Sequence, residues 1–584
     1  MAAGSREPEA AILAAGSQQP ETNIRRLGAG SWGPKIKKMK IWKGIAIVVA
    51  LVVTNLLVHH FVVRWDMTND RRYSIAPTTK ALLQELNAPL QVTILLDGEL
   101  NAGFQRLQRA TVEIVEELEA ARGERREAKG AEIDYRVSAE NIPQGLSPTV
   151  IHERTHKGQT AQTTIYPYAL LTYKGKTAVV ELLRNNRGRS GEENLNHSIE
   201  NLEFAFVEVL HTLTREKVEK IAFLEGHGEL TEREVFDLSQ ALSHYYQIDR
   251  GILGKETGVL DEYRAVIIAD PQEPFSEEDK YILDQYLMQG GRILWVLNGV
   301  RFSNTTLSQS GMTPIIPLEL NLSDMLFRYG VRVNPVLVQD LQCLPVPVDV
   351  SNDPQQPNWQ PMPWTYAPLL LTSQASPITR NIMQVSATMA SMLDFVGGED
   401  GLHKTTLLAT SSNSKLTGTP AEVDLSLFEG TESEFQYAFI PVAASIEGVF
   451  PSLFAHLLPP EGIELHAPLR KQSSPTKQIV VAAGSTIRNE WQQGQPLPLG
   501  YDRYTQTQFG NRDFMVNAVL YLTDDSGWMS LRQKQFTLRL INDQRAREGR
   551  ISAQVISIIV PLLLLAIVGA TVIIVRRKRY TKAI

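Results

Sequence analysis

Two long, predominantly apolar runs of the chain carry no charge: residues 44–63 (GIAIVVALVVTNLLVHHFVV) and residues 555–575 (VISIIVPLLLLAIVGATVIIV). At 1.5 Å rise per residue, about 20 apolar residues span roughly 30 Å as a helix, the thickness of a bilayer core. Transmembrane helices are expected over residues 44–63 and 551–575. Between them the pattern changes period repeatedly. Residues 64–216 read as a first α/β domain, with Thr78 or Thr79 capping a short helix to Leu86 and a strand over 90–96 (LQVTILL). A helix over 104–121, a strand over 132–137, a hairpin over 170–183 turning at Lys174-Gly175 and one long helix over 192–215 complete it. Ile199, Leu202, Phe206, Leu210 and Leu213 form the apolar stripe of that last helix.

Residues 217–311 give the clearest α/β signal. The runs 220–224 (KIAFL), 265–269 (AVIIA) and 293–297 (ILWVL) hardly alternate, as strands buried on both faces of a parallel sheet do. Thr231 to Glu234 has the form of a capping box before the stripe Val235, Leu238, Leu242 and Tyr245. Ser276 caps a second helix whose first turn holds Glu277, Glu278 and Asp279, favourable beside the helix dipole, and Gly290-Gly291 ends it. Residues 312–375 are proline-rich, above all at 344–364, and read as a long surface loop or lid. Residues 376–550 continue the α/β body, with a strand over 478–483 and a helix over 511–522, and return to the membrane. The expected fold class is α/β: tandem extracytoplasmic α/β domains including a flavodoxin-like or amidotransferase-like parallel sheet, flanked by one transmembrane helix at each end.

Charge fixes the orientation. Lys35, Lys37, Lys38, Lys40 and Lys43 precede the first run, and Arg576, Arg577, Lys578, Arg579 and Lys582 follow the second. Basic flanks stay on the cytoplasmic side, so both termini are expected there: a disordered tail with a basic flank at 1–43 and a basic tail at 576–584. Trp42 and Trp65 bracket the first run as interfacial anchors. Asn55 within the first span, and Pro561 and Gly569 within the second, point to packing against a partner in the membrane. A net charge of −6 offers no basic face for nucleic acid. The single cysteine, Cys343, excludes an internal disulfide and a multi-cysteine metal site; as a small buried apolar residue it needs no reactive role.

Ligands of parallel sheets bind beyond the carboxyl ends of the strands. That edge carries Glu225-Gly226-His227-Gly228-Glu229, Asp270-Pro271 and Asn298-Gly299, so Glu225, His227, Glu229, Asp270 and Asn298 are the candidate ligand-binding residues. Glu225 and His227 could form an acid–base pair; alternatively the glycines make a tight turn in which His227 and Glu229 satisfy backbone groups. The glycines match G-x-G-x-x-G only in part, because the third position is Thr231. The nearest approach to a phosphate-binding loop, Gly251 to Glu256, lacks its first glycine and its hydroxyl. Cys343 sits in no nucleophile elbow. Neither catalysis nor a cofactor or metal is called for.

Asp66-Met67-Thr68, Arg72-Tyr73-Ser74-Ile75-Ala76-Pro77, Phe223 to Glu229, Asp270-Pro271 and Gly290-Gly291 recur in a familiar order. With Phe509 to Phe514, Asn517 to Leu522 and Gly527 to Arg532 before the last span, the chain resembles the gliding-motility-associated ABC transporter auxiliary family (GldG type). The resemblance implies a bacterial inner-membrane, two-pass auxiliary subunit, non-catalytic, that works with an ABC permease subunit and a separate ABC ATPase subunit. Its extracytoplasmic body would bind a substrate or partner protein. A membrane-tethered solute-binding module using Glu225, His227 and Asp270, or an extracytoplasmic hydrolase using His227, are the alternatives.

Overall fold

The computed structural model describes residue 49 and residues 74–580, apart from 124–132, 141, 155–159, 185–189, 216, 350, 352–355, 357, 398–400, 426–431 and 534–548. Met1–Met67 and Thr68–Ile584 form separate compact units. In the first, Val49 is helical and exposed; the remainder of the expected first span, Asn55 included, lies outside the described residues.

The second unit begins with helix α1 (Pro77–Glu85) and strand β1 (Leu90–Ile94), followed by α2 (Ala102–Gly123) and β2 (Ile133–Val137). A hairpin of β3 (Thr149–Arg154) and β4 (Thr160–Ile165) precedes β5 (Tyr168–Tyr173) and β6 (Lys176–Glu181). The sheet order is β2-β1-β5-β6, with β1 and β2 parallel as a β-α-β unit requires. The long helix expected over 192–215 is two helices, α3 (Gly191–Glu200) and α4 (Leu202–Thr214). Asn201 breaks it: its Nδ2 donates to the His197 carbonyl at 2.7 Å, a local side-chain bond that competes with helix continuation. Nor do Thr78 or Thr79 cap α1, whose N-cap is Ala76 without a side-chain hydrogen bond.

The central sheet follows. Its strands β7 (Glu219–Glu225), β8 (Tyr246–Ile252), β9 (Tyr263–Ala269) and β10 (Ile293–Val296) are linked by α5 (Phe236–Leu242) and α6 (Glu277–Met288). Ser276 caps α6 as expected, its side chain accepting from the Asp279 N–H. An excursion then carries β11 (Val300–Arg301), α7 (Asn304–Ser310), β12 (Met312–Pro317), α8 (Ser323–Arg328), β13 (Val331–Asp340), β14 (Cys343–Asp349) and β15 (Trp359–Thr372). It continues through β16 (Val385–Ser386), β17 (Ser391–Phe395), β18 (His403–Ala409), β19 (Ser414–Gly418), β20 (Ala421–Asp424) and β21 (Pro441–Gly448). Strand β22 (Thr476–Val481) returns beside β10, and α9 (Asn511–Thr523) and α10 (Arg550–Tyr580) follow.

The order across this sheet is β14-β15-β18-β21-β22-β10-β9-β7-β8. Pairings among β8, β7, β9, β10 and β22 are parallel; those from β22 outward to β14 are antiparallel. Numbered along the chain, the five parallel strands lie in the order 2-1-3-4-5. Successive side chains feed two different cores. Ile221, Phe223, Ile267, Leu294 and Val481 face α5 and α9 residues such as Leu238, Phe514 and Val519. Leu224, Val266, Ile268, Trp295 and Val480 face α6 and α8 residues such as Ile282, Leu287 and Met325. Helices thus cover both faces, which explains why the strands are apolar without alternation.

Residues 312–375, expected as a loop or lid, are mostly strands. In the β14/β15 ribbon Pro345 faces Pro363 and Pro347 faces Pro361, while Val346 faces Met362 between them. Facing prolines have no N–H to exchange, so they fit only non-hydrogen-bonded pairs, where ring nitrogens turn toward the outer edges. The alternate register keeps the ladder, and the proline content reads misleadingly as loop.

Within α10, Gln554–Lys578 is long and apolar enough to cross a membrane, and none of it is buried. The molecule is therefore mixed α/β, with several sheets, parallel pairs and one candidate membrane helix near the C-terminus among the described residues.

Candidate functional site

The winding reverses between β7 and β9, and the carboxyl ends of these strands flank the place where parallel sheets take ligands. Beyond β7, Gly226 and Gly228 have φ of 115° and 72°, the left-handed region that glycine adopts without strain. They fold the chain into a turn that holds His227 between them. Its ring is buried, stacked on Phe275 with 3.7 Å between centroids. Nδ1 lies 3.1 Å from Glu229 Oε1 and Nε2 lies 3.2 Å from Asp279 Oδ2. The His227 N–H donates to Glu229 Oε2 at 2.7 Å, and its carbonyl accepts from the N–H groups of Gln272 and Glu273, each at 2.8 Å.

Burial opposes a charge on His227, but its hydrogen bonds to Asp279 and Glu229, and their negative charges, outweigh it and raise the pKa to about 9. The ring is an imidazolium at neutral pH, donating at both nitrogens. Asp279 answers in kind: burial pushes it up, yet the bonds with His227 and Ser276 hold it below the usual carboxylate range. A ring protonated on both nitrogens has no lone pair with which to accept a proton. His227 ties the turn after β7 to the first turn of α6. Glu225, the acid–base partner in one of the two readings, instead meets Arg250 of β8 at 2.7 Å, and Arg250 also donates to the Leu230 carbonyl at 2.8 Å. The Glu225–His227 pair that one of the two readings offered does not form; His227 lies between Glu229 and Asp279.

A second cluster lies beyond β9 and β10. Asp270, buried with φ 55°, accepts at Oδ1 from Asn298 Nδ2 at 2.6 Å and Gln272 Nε2 at 3.1 Å. Asn298 Oδ1 in turn accepts from the Gly484 N–H at 2.9 Å. Gly484 follows β22, and a Cβ there would fall 2.2 Å from Asp270 Oδ1, so no larger residue fits. Arg488 completes the group, 3.6 Å from Asp270 Oδ2 and 3.7 Å from Glu234 Oε1. Burial raises the Asp270 pKa to about 6 although Arg488 pulls it down.

Of the expected residues, the fold joins His227 with Glu229 and Asp270 with Asn298, and leaves Glu225 on a separate ion pair. Sequence reasoning missed Gln272, Asp279, Gly484 and Arg488. Asp279 was visible only as part of a helix cap, whereas its carboxylate also serves His227. Gly484 ends an apolar run as Gly299 does, a signal that could have been used. Nothing in the sequence singles out Arg488. Its Nε and the neighbouring Asn489 Nδ2 are buried donors without an acceptor. Among the described residues no group of His, Cys, Asp or Glu is placed to hold a metal ion. Burial, with Asp340 adding, pushes the Cys343 thiol up to about 11, which keeps it protonated and weakly nucleophilic at neutral pH. Pro561 lies inside α10 and Gly569 has open space around it.

Residues 69–172 match a domain of unknown function. No protein of curated function matches the chain. Among solved structures, the mmIFT52 N-terminal domain aligns with 16% identity and a TM-score of 0.31, over 53% of this chain and 99% of that one. Residues 219–518, from the first strand of the central sheet into α9, match the ABC transporter auxiliary family, described as an ABC-type uncharacterized transport system. With just over half of its length inside that match, the chain belongs to the ABC transporter auxiliary family.

Proposed function

We propose that the chain is a non-catalytic accessory subunit of an ABC transport system of the gliding-motility (GldG) type, held in a bacterial inner membrane by two spans. The family match over residues 219–518 carries this reading. The unburied apolar helix Gln554–Lys578 supports a membrane anchor, and the basic flanks at both ends support cytoplasmic termini with the body between them outside. In this reading residues 64–216 form the first extracytoplasmic domain, residues 217–311 and 376–550 the second, and the 2-1-3-4-5 strand order supports a flavodoxin-like layer. Asn55, Pro561 and Gly569 pack against a permease, and a separate ATPase supplies the energy. His227 and Asp270 hold the strand ends in place and do not act on a substrate.

Affinity purification of the full-length protein in mild detergent, with mass spectrometry of what accompanies it, tests the reading. A multispanning permease and an ABC ATPase are expected; recovery of neither sinks it. One observation favours a second reading, a tethered solute binder: the orphan donors of Arg488 and Asn489 beside the switch point. A thermal-shift screen on the full-length protein would then find a small molecule whose effect Arg488→Ala abolishes.

A further inference from the structure

The chain segments that lead into and out of the described body meet on one helix. Helix α4 is buried on two sides: Leu202, Ala205, Phe206, Leu210 and Leu213 belong to the core under the first sheet, Phe204 and Val207 to the core of the central sheet. On the incoming side, Glu203 Oε1 accepts from the Ala76 N–H at 2.8 Å and from Thr79 Oγ1 at 2.7 Å. Glu203 and Thr79 are both buried, so a carboxylate supplied by α4 does for α1 what its missing side-chain cap does not, through charge-assisted bonds.

On the outgoing side lies the 3-10 turn Trp528–Gln533. The Trp528 ring stacks on Phe204 at 5.3 Å and meets His211 at 5.4 Å. The Arg532 guanidinium sits 5.0 Å from the Phe204 ring centroid, donating to Asn517 Oδ1 at 2.7 Å and the Arg380 carbonyl at 3.3 Å. Ala76 and Leu82 pack against the core that contains Trp528, and α1 touches the turn directly. Adjacent residues of one helix, Glu203 and Phe204, therefore hold the two segments that lead toward the apolar runs.

We propose that α4 is a mechanical coupler: it locks α1 and the 528–533 turn into one cooperative unit, so that neither end of the body can shift without the other. Its role rests on the transporter-subunit reading, because a displacement driven at the membrane would then reach both sheets together. The coupling itself stands on the contacts alone.

Hydrogen exchange of the full-length protein in detergent micelles, read by mass spectrometry, tests it. Glu203→Ala is expected to speed exchange roughly tenfold in both Pro77–Glu85 and Trp528–Gln533, with β9 and β10 unchanged, as release of one local cooperative unit would. Trp528→Ala should in turn loosen Pro77–Glu85. Loosening confined to the mutated segment in either variant overturns the coupler. Should Glu203→Ala unfold the sheet as well, Thr79→Val, which removes one buried hydroxyl, is read by the same two outcomes. Failure of coupling with the permease still recovered removes the coupler alone; intact coupling with no permease removes its transport role.

Discussion

His227 keeps its proton because two carboxylates face it inside the protein, and this sets a pH dependence with a definite sign. Its folded pKa of about 9 lies above the ordinary 6.5, so its stabilising contribution is complete below about pH 6.5 and is lost as pH rises through about 9. His211 runs the other way. Burial, with Arg215 adding, lowers its pKa to about 4, so acidification from about 6.5 through 4 destabilises the fold. His227→Ala leaves Glu229 and Asp279 without their shared cation and should destabilise by about 3 kcal/mol near pH 6.5, since breaking a buried pair exposes the remaining charges to an unfavourable interior. Thermal unfolding of both proteins at pH 6.5 and 9.5 checks this: the gap should shrink by more than half at the higher pH, and a constant gap would refute the charged-tie account.

The proline ribbon behaves as an element with protected borders. β14 is the outermost strand of its sheet, and Pro345 and Pro347 leave its free side without donors at those positions, a known guard against edge-to-edge pairing. Replacing both (Pro345→Val with Pro347→Thr) should leave stability within about 1 kcal/mol but raise self-association in static light scattering; an unchanged particle size would contradict the guard. The ribbon also shows where sequence pattern reaches its limit. β7, β9 and β10 were legible because burial on both faces demands unbroken apolar runs, and α6 because Ser276 and its acidic first turn satisfy helix-end physics. β14 and β15 were not, because their prolines are acceptable only through facing pairs 14 to 18 residues apart, a relation no local window contains. The site divides the same way. The glycines around His227 announced a turn beyond a strand, but Asp279, 52 residues away, became its partner through tertiary packing alone.

At the scale of the whole molecule, residues Gln554–Lys578 of α10 are not buried against the body, so deletion of residues 554–584 should shift the body's unfolding midpoint by less than about 2 °C, as expected where no core contact is lost. In the proposed reading, where α10 anchors the chain beside a permease, the same deletion should cut recovery of that partner at least roughly tenfold; undiminished recovery would assign partner binding elsewhere. The sheet also has a history imposed by its own connectivity. β10 and β22 lie side by side, yet the chain leaves at Val296 and comes back at Thr476. During synthesis at about 5–20 residues per second, the intervening stretch of about 180 residues delays the missing neighbour by roughly ten to forty seconds. For that interval β10 offers a bare, apolar border to any strand within reach. Newborn copies crowded on one messenger are then at their most vulnerable to pairing with each other, and a helper that shields exposed strands should matter more for this chain's yield than for its final stability.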